Sequence, residues 1–549
     1  MQRHQLLGYV ALTRPSLHSA TRSRLKEAAL PLFAALATAV VFWTCLRCGF
    51  ITFDDPFFLE RATRGLGASA WRELLTRQCL GKYAPLSSLT LAADFALWGV
   101  NPFGYHLTNL ILHAANAALF YALALELFAA GAANERDRAS AVVAALAFSL
   151  HPLRVQSVAW TSERHGVTCG FFFLLTLLLW LRSFRPGETR AARWRTASLG
   201  AFFLALLSKP AAIPLPAVLF LLDVWPLRRW TAEPRRRSRE RLLALALEKA
   251  PFLALSAVFS VVAVYAQARA EAIVSMAAAP LAQRAPVVLI GLVFYLGKTL
   301  WPAALGIYEL NWHVLREATL VGAAATAALL AAAAARRRLR APLLCALAYQ
   351  TIMLAPVLGF ITLGHETGAD RYSYLSGLAW AALAGAGFRA LARARPVPAV
   401  ALAAVALMAL SIRSRAQIEI WKDSRTFWRH DLRVNPFSVG ARIGLADYYA
   451  RDGASYGRAI LYLEEQTLLF PEDAKSRKVL DELTKQHHVT KRDHARFHEQ
   501  FGREFAARAE FAEAAWHFER ALRYDPASRK LRGELADARR NARRAPAPQ

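Results

Sequence analysis

Two adjacent acids, Asp54 and Asp55, stand just after the first long apolar run of the chain, in the stretch ITFDDPFFLE at residues 51–60. A carboxylate within hydrogen-bond reach of a hydroxyl can take its proton, so these side chains are of the right type for a general base. Burying the pair in hydrocarbon would be costly, which puts it at a membrane face. A solvated acidic loop start is the plainer reading, and only the rest of the chain separates the two. Cations suited to a phosphate recur further on: Arg154 and Arg164 in HPLRVQSVAWTSERHG, Lys209 in SKPAAIP, and Arg371 in GADRYSYL. Guanidinium forks match phosphate oxygens, although each arginine would equally serve in an ion pair or snorkel to the interface. Polar residues beside them are candidates to line a cavity: His151, Gln156, Glu163, Asp370 and Tyr372. His106, Asn109, His113 and Asn116, at offsets of 3, 7 and 10, share one face of a helix. That stripe points at protein or water, either as hydrogen bonds between helices or, for the first three, as cavity wall.

The elements that must position these groups are apolar. The 549 residues are 55% hydrophobic, with a mean hydropathy of +0.24 and many runs near spanning length, the composition of a polytopic membrane protein. The formal charge of +28 sits in short loops at 182–195, 228–241, 336–340 and 389–395. That is the pattern of loops kept in the cytoplasm, and without interleaved aromatics it excludes a nucleic-acid partner. The run at 30–50 follows Arg14, Arg22, Arg24 and Lys26 with no small-residue cleavage site, so it reads as a retained first helix with a cytoplasmic N-terminus. Five cysteines give no disulfide framework, and Cys45 and Cys48 have metal or redox spacing but no second pair.

The resulting expectation is an all-α fold: a cytoplasmic segment at 1–27, a helical bundle of about eleven spans at 28–413, and a first outer loop at 51–103. Trp71, Leu74 and Leu75 give that loop amphipathic pieces suited to lying on the membrane. Apolar runs at 197–207 and 211–224 hinge at Lys209. They form two thin crossings with Lys209 at the far turn, or one broken helix with the lysine near mid-depth, where it needs an anionic partner. Residues 286–301 read as re-entrant or half-spanning, because a full span there would put the basic segment 336–340 outside. Acids at loop edges and no internal symmetry argue against a transporter. From 421 to 535 the composition is charged and helical. Gly502, Phe505, Ala514, Phe518, Ala521 and Pro526 stand at the offsets of a 34-residue tetratricopeptide repeat, and Leu445, Tyr449, Gly453, Ala459, Leu463 and Pro471 fit more loosely. Residues 536–549 read as a disordered tail.

Four blocks in order carry a family resemblance: FDDPFFLE, APLSSLTLAADFALWGVNPFGYHLTNLILHAANA, HPLRVQSVAWTSER and LLSKPAAIPLPAVLFLLDVWPLRR. ADRYSYL and WKDSRTFWRHDLRVNP agree in order and spacing. The chain resembles the transmembrane and tetratricopeptide-repeat family and its bacterial relatives, which are C-type glycosyltransferases; the animal members are protein O-mannosyltransferases. The resemblance implies a C-type glycosyltransferase bundle that moves a sugar from a polyprenyl-phosphate donor to a protein Ser or Thr hydroxyl. It implies Asp54 as the catalytic base with Asp55 assisting, and Lys209 beside the donor phosphate, sharing that charge with Arg154, Arg164 and Arg371. The partners expected are a polyprenyl-phosphate lipid and a protein or peptide held by the repeats. The site expected is the periplasmic face of a bacterial inner membrane. No metal ligand set is evident, and a divalent cation on Asp54 and Asp55 would be weakly held. Two departures stand out: Pro56, where relatives carry further acids, and Gln156, where they commonly carry Glu. A membrane-anchored repeat scaffold without catalysis, and transfer to a lipid or glycan, are the alternatives.

Overall fold

The computed structural model describes residues 17–63, 72–73, 78–129, 133–229, 238–270, 273, 280–309, 312–358, 366–451 and 455–544. Trp71, Leu74, Leu75, Gly453 and residues 545–549 lie outside these. The chain forms two compact units, one of residues 1–48 and 57–419, the other of residues 49–56 and 420–549.

The first unit is a bundle of helices and the chain is a multi-pass membrane protein. Among the described residues, seven helices are long and apolar enough to cross a membrane, and nine if each of two bent pairs counts as one span. The bent pairs are Glu135–Ser149 with Pro152–Ala159, and Asp370–Ser376 with Leu378–Ala394. The expected eleven spans exceed this by the two pieces that flank Lys209. Helix Ala191–Ser208 opens on Arg193 and Arg195, and Leu215–Val224 has only ten residues, about 15 Å of rise, half a hydrocarbon thickness. The loop at 51–103 contains helices Asp55–Thr63 and Pro85–Trp98. Leu281–Leu300 is a continuous helix pressed on Trp312–Ala335. The crossing is close because Gly297 meets the Ala318 carbonyl and Gly322 that of Val293, positions with no room for a side chain.

Two irregular regions break the helical pattern. After Ser149, Pro152 prevents continuation, and the chain makes the short turns Pro152–Arg154, Val155–Ala159 and Thr161–Glu163 before helix Arg164–Arg182. Every residue from 151 to 170 is buried despite the polar content. Strand Ile307–Glu309 pairs antiparallel with Glu366–Ala369. The Tyr295 hydroxyl receives the Ala369 N–H at 3.0 Å and donates to the Ala369 carbonyl at 3.1 Å. Those bonds pin the turn Asp370–Tyr372 that follows.

In the second unit, residues 49–56 are held by the Gly49 N–H to the Lys422 carbonyl at 2.8 Å, the Thr52 N–H to Ser424 Oγ at 2.9 Å, and Phe53 against Trp428. Helices then pack on their neighbours: Val439–Arg451 on Tyr456–Leu469, and Lys491–Ala507 on Phe511–Tyr524. Gly502 abuts Phe518 in the second pair, and Ala514 and Ala521 are fully enclosed. The last helix, Arg529–Arg544, continues through most of the stretch expected to be a disordered tail, because Leu531 and Ala538 bury one face of an otherwise charged helix.

A polar cluster crosses these helices. Glu464 accepts from His498 at 3.0 Å, pairs with His494 at 2.6 Å and accepts from the Tyr524 hydroxyl at 2.9 Å; His517 Nδ1 lies 3.0 Å from His498 Nδ1. Burial pushes Glu464 upward, but the hydrogen bonds from His494 and His498 outweigh it and hold the carboxyl down at about 2. Burial, reinforced by His498, lowers His517 to about 3. Both shifts act in the same direction. Below its ordinary value of about 6.5, His517 takes a proton in the unfolded chain that the folded chain refuses, so stability falls with pH. Glu464 adds a second loss below the ordinary carboxylate range. Hydrogen exchange of the amides in Phe511–Tyr524, corrected for intrinsic rate, should lose protection steadily between pH 6.5 and 4.5. His517→Phe, which keeps the ring packing on Phe505, should flatten that slope; an unchanged slope would assign it to another group.

Candidate functional site

A cavity of about 420 Å³ opens in the first unit, within the range of small-molecule sites. It lies where the two irregular regions meet the break at Lys209. Lys209 is extended between the helix Ala191–Ser208 and the turn Pro210–Ala212, with its carbonyl near Cys169 Sγ. A proline next in the chain forces that break. The Lys209 ammonium therefore leaves the helix line and reaches Glu163 Oε2 at 2.6 Å. Arg371 Nε lies 3.5 Å from the other oxygen, Glu163 Oε1. Lys82 joins them on the wall, which makes three cations to one carboxylate among the described wall residues. The remaining surface is mostly apolar and includes Ile213, Ala263, Val264, Met353 and Val357.

The backbone of Arg371 is positioned by Gln156, whose Oε1 receives its N–H at 2.6 Å. A carboxylate at position 156 would accept the same bond, so the amide keeps the geometry and removes a negative charge; its Nε2 has no partner among the described residues. The Arg371 guanidinium also lies over the rings of Tyr372 and Trp160, at 5.0 and 5.4 Å. His165 lines the cavity with its Nδ1 on the Ser162 carbonyl, and Phe58 packs against its ring at 4.8 Å. Since a carbonyl only accepts, Nδ1 carries the hydrogen and Nε2 is left as an acceptor.

Of the residues singled out in the sequence, Lys209, Arg371, Glu163 and Tyr372 come together on this wall. Among the described residues the wall does not include Arg154, Arg164, His106, Asn109, His113, His151, Gln156 or Asp370. Most of these hold the scaffold instead. Arg164 is completely buried, bonds to Asp94 at 2.5 Å and to the Tyr105 carbonyl at 2.8 Å, and also contacts Asn109 Oδ1. Asn109 Nδ2 donates to the Val158 carbonyl at 3.1 Å. His113 bridges the Tyr374 hydroxyl and the Ser149 carbonyl at 2.9 and 3.0 Å, and Asn116 reaches the same hydroxyl at 2.8 Å. The polar stripe is thus the fastening of helix Pro102–Phe128 to the turns around residues 150–167. Arg154 donates to the Ser373 carbonyl at 2.5 Å and lies over Phe148 and Tyr374, His151 caps its own turn and reaches the Thr299 carbonyl at 2.9 Å, and His106 and Asp370 are fully buried. Asp54 and Asp55 belong to the second unit, where the Asp55 carboxylate accepts the Ile51 N–H at 2.8 Å at the start of helix Asp55–Thr63.

No family model matches the chain. Human protein O-mannosyl-transferase TMTC2 is 32% identical over 162 residues, 29% of this chain and 18% of that protein. Human protein O-mannosyl-transferase TMTC3 is 28% identical over 214 residues, 37% of this chain and 22% of that one. Over these stretches the chain is similar to the transmembrane and tetratricopeptide-repeat proteins. It spans about a fifth of the length of the curated relatives it matches. A looser likeness is to the crystal structure of ArnT from Cupriavidus metallidurans bound to undecaprenyl phosphate, at 16% identity and a TM-score of 0.39, covering 81% of this chain and 77% of that one.

Lys82 and His165 are wall residues that sequence reasoning passed over. Lys82 sits in the long first loop, where nothing local distinguishes it from a solvated lysine. His165 had a signal: it follows Glu163-Arg164 at the start of an apolar helix, where a polar side chain needs a reason to be buried. Among the described residues, no group of three or more His, Cys, Asp or Glu side chains has an arrangement suited to a metal ion. The buried Arg164–Asp94 pair supports the turns that carry Glu163. Removing one partner of such a pair strands a charge and costs about 3–5 kcal/mol. Asp94→Ala should therefore lower the thermal unfolding temperature of the detergent-solubilised protein, and Asp94→Asn, which keeps an acceptor, should lower it less.

Proposed function

We propose that this chain is a membrane glycosyltransferase of the C-type architecture, which moves a sugar, mannose, from a polyprenyl phosphate to a Ser or Thr hydroxyl of a protein. The observation that carries this is the cavity itself: Lys82, Lys209 and Arg371 converge beside a largely apolar wall. That combination suits one anionic head group joined to a hydrocarbon chain. A free sugar phosphate would have no use for the apolar wall, and a neutral lipid none for three cations.

The reaction follows from the same inventory. The acceptor oxygen bonds to the anomeric carbon, the bond from that carbon to the phosphate oxygen breaks, and the phosphate, still esterified to the prenyl chain, leaves with the bonding electron pair on its oxygen. A phosphate is already a stable anion, so it needs cations rather than an acid, and the carboxylate pair typical of glycosidases is not required. Lys209 and Arg371 take that part, with Lys82 adding charge. Arg154 and Arg164, candidates for the same role by type, are engaged in holding the scaffold. The acceptor proton goes to Asp54, with Asp55 shaping the turn through its bond to Ile51. Pro56 is the second residue of the helix Asp55–Thr63, in the first turn where proline is tolerated, so its presence is compatible with an active site.

The second unit is the tetratricopeptide-like module that holds the acceptor protein, on the periplasmic side of a bacterial inner membrane. Its support is the paired packing of consecutive helices, the arrangement that lets repeats stack into an extended surface. Membranes carrying Asp54→Asn and, separately, Lys209→Ala, assayed with a polyprenyl-phosphate mannose donor and a Ser/Thr peptide, test the proposal. Asp54→Asn should lower kcat about 100-fold or more, the range of general-base losses, with donor binding retained. Lys209→Ala should weaken donor binding and lower turnover together. Full activity in the first variant would remove Asp54 from the chemistry; farnesyl phosphate binding no tighter than inorganic phosphate would remove the lipid donor.

A further inference from the structure

Glu163 is the one carboxylate among the described wall residues of the cavity, and its two oxygens are divided between two cations. Oε2 is 2.6 Å from Lys209 and Oε1 is 3.5 Å from Arg371. These are the positions that two oxygens of a bound phosphate would take up. The carboxylate is enclosed, with a side chain only 3% exposed, whereas Lys209 keeps 19% exposure. Glu163 is fixed at its base by the turn Thr161–Glu163, whose N–H bonds the Trp160 carbonyl at 3.1 Å. Its far end has room because residue 166 is glycine: a Cβ there would stand 3.0 Å from Glu163 Oε2 and 3.7 Å from Lys209 Nζ.

We infer that Glu163 is a positioning residue, an internal counter-ion that holds Lys209 and Arg371 in place and competes with phosphate for them, thereby setting how tightly the spent polyprenyl phosphate is retained. The inference rests on the phosphate-site reading above. The charge count explains the need. Among the described wall residues the cations are Lys82, Lys209 and Arg371, and Glu163 is the one acid set against them. A sugar phosphodiester brings one negative charge; a phosphate monoester, once the sugar is gone, brings about 1.5 to 2. Without Glu163 the same cations would hold the product far better than the donor, and turnover would slow. One carboxylate in contact with Lys209 and Arg371 lowers that excess, since charges this close in a poorly solvated cavity interact strongly. It also keeps Lys209 from snorkelling away from the cavity before the donor arrives.

The test uses the full chain in detergent, with farnesyl phosphate as a monoester, its methyl ester as a diester and inorganic phosphate as probes. Glu163→Gln preserves shape and the hydrogen bond to Lys209 but removes the charge. It should bind farnesyl phosphate on the order of tenfold more tightly, gain less for the diester, and lower kcat and KM together through slow product release. Glu163→Asp restores the charge and should restore both parameters toward the parent, which a purely structural role would not do. Gly166→Ala crowds the carboxylate away from Lys209 and should move monoester affinity in the same direction as Glu163→Gln, which keeps the inference testable should that variant fold poorly. Unchanged or weaker monoester binding in both Glu163→Gln and Gly166→Ala, or a Glu163→Asp variant indistinguishable from Glu163→Gln, overturns it. Absence of farnesyl phosphate binding by the parent chain, with Lys209→Ala no different, removes the phosphate site and this inference with it. Binding by the parent that is lost in Lys209→Ala but indifferent to Glu163 removes the counter-ion alone.

Discussion

The contact between Lys209 and Glu163 is the constraint to which the rest of the first unit conforms. An ammonium enclosed among apolar helices is tolerated only with an anion in contact, and the anion must itself be held against the pull of solvent. Both halves are provided by breaks in helices rather than by helices. Pro210 ends one helix so that Lys209 turns inward; Pro152 ends another so that the chain can coil through three short turns and deliver Glu163. The two breaks turn both side chains toward the cavity, where they lie 2.6 Å apart; in lipid such backbone would leave polar groups unsatisfied. The irregular chain is acceptable here because it is buried in protein, where side chains such as Asn109 and Asn116 take up the freed carbonyls.

That arrangement explains why so many conspicuous polar residues are away from the cavity. Arg164, Asp94, Asn109 and His113 form the supports of the turns between residues 150 and 167. A buried arginine with a carboxylate and a carbonyl as partners is expensive to desolvate but specifies one geometry, because any displacement leaves a charge unmet. Gln156 serves the opposite wall in the same manner, setting the backbone from which Arg371 reaches Glu163. The second unit obeys different rules. Its helices are exposed on one face and held by small residues facing large ones, Gly502 on Phe518 and Gly444 on Trp428, with Glu464 joining three helices through two histidines and a tyrosine.

The local content of the chain determined a good deal by itself. Apolar runs near spanning length, basic loops between them, and prolines at 152 and 210 established a helical membrane bundle and the places where its helices stop, because period and proline act within a few residues. The 3-7-10 spacing of His106, Asn109, His113 and Asn116 put them on one face pointing at protein or water, and in the structure all four are buried. The small and aromatic residues around Gly502 and Phe518 mark a helix pair by their spacing alone. Length was less safely read: the runs flanking Lys209 are apolar enough to suggest two more crossings, but one opens on arginines and the other is ten residues long.

Tertiary structure alone decided which charges meet. Glu163 and Lys209 are 46 residues apart, Gln156 and Arg371 are 215 apart, and nothing in either neighbourhood distinguishes an arginine at the cavity from one that braces a turn. Arg154, Arg164 and Arg371 look alike in sequence; their roles divide according to whether an acid, a carbonyl or open space lies opposite. The reason is physical: a buried charge takes its function from the partner that makes its burial affordable, and that partner comes from another part of the chain.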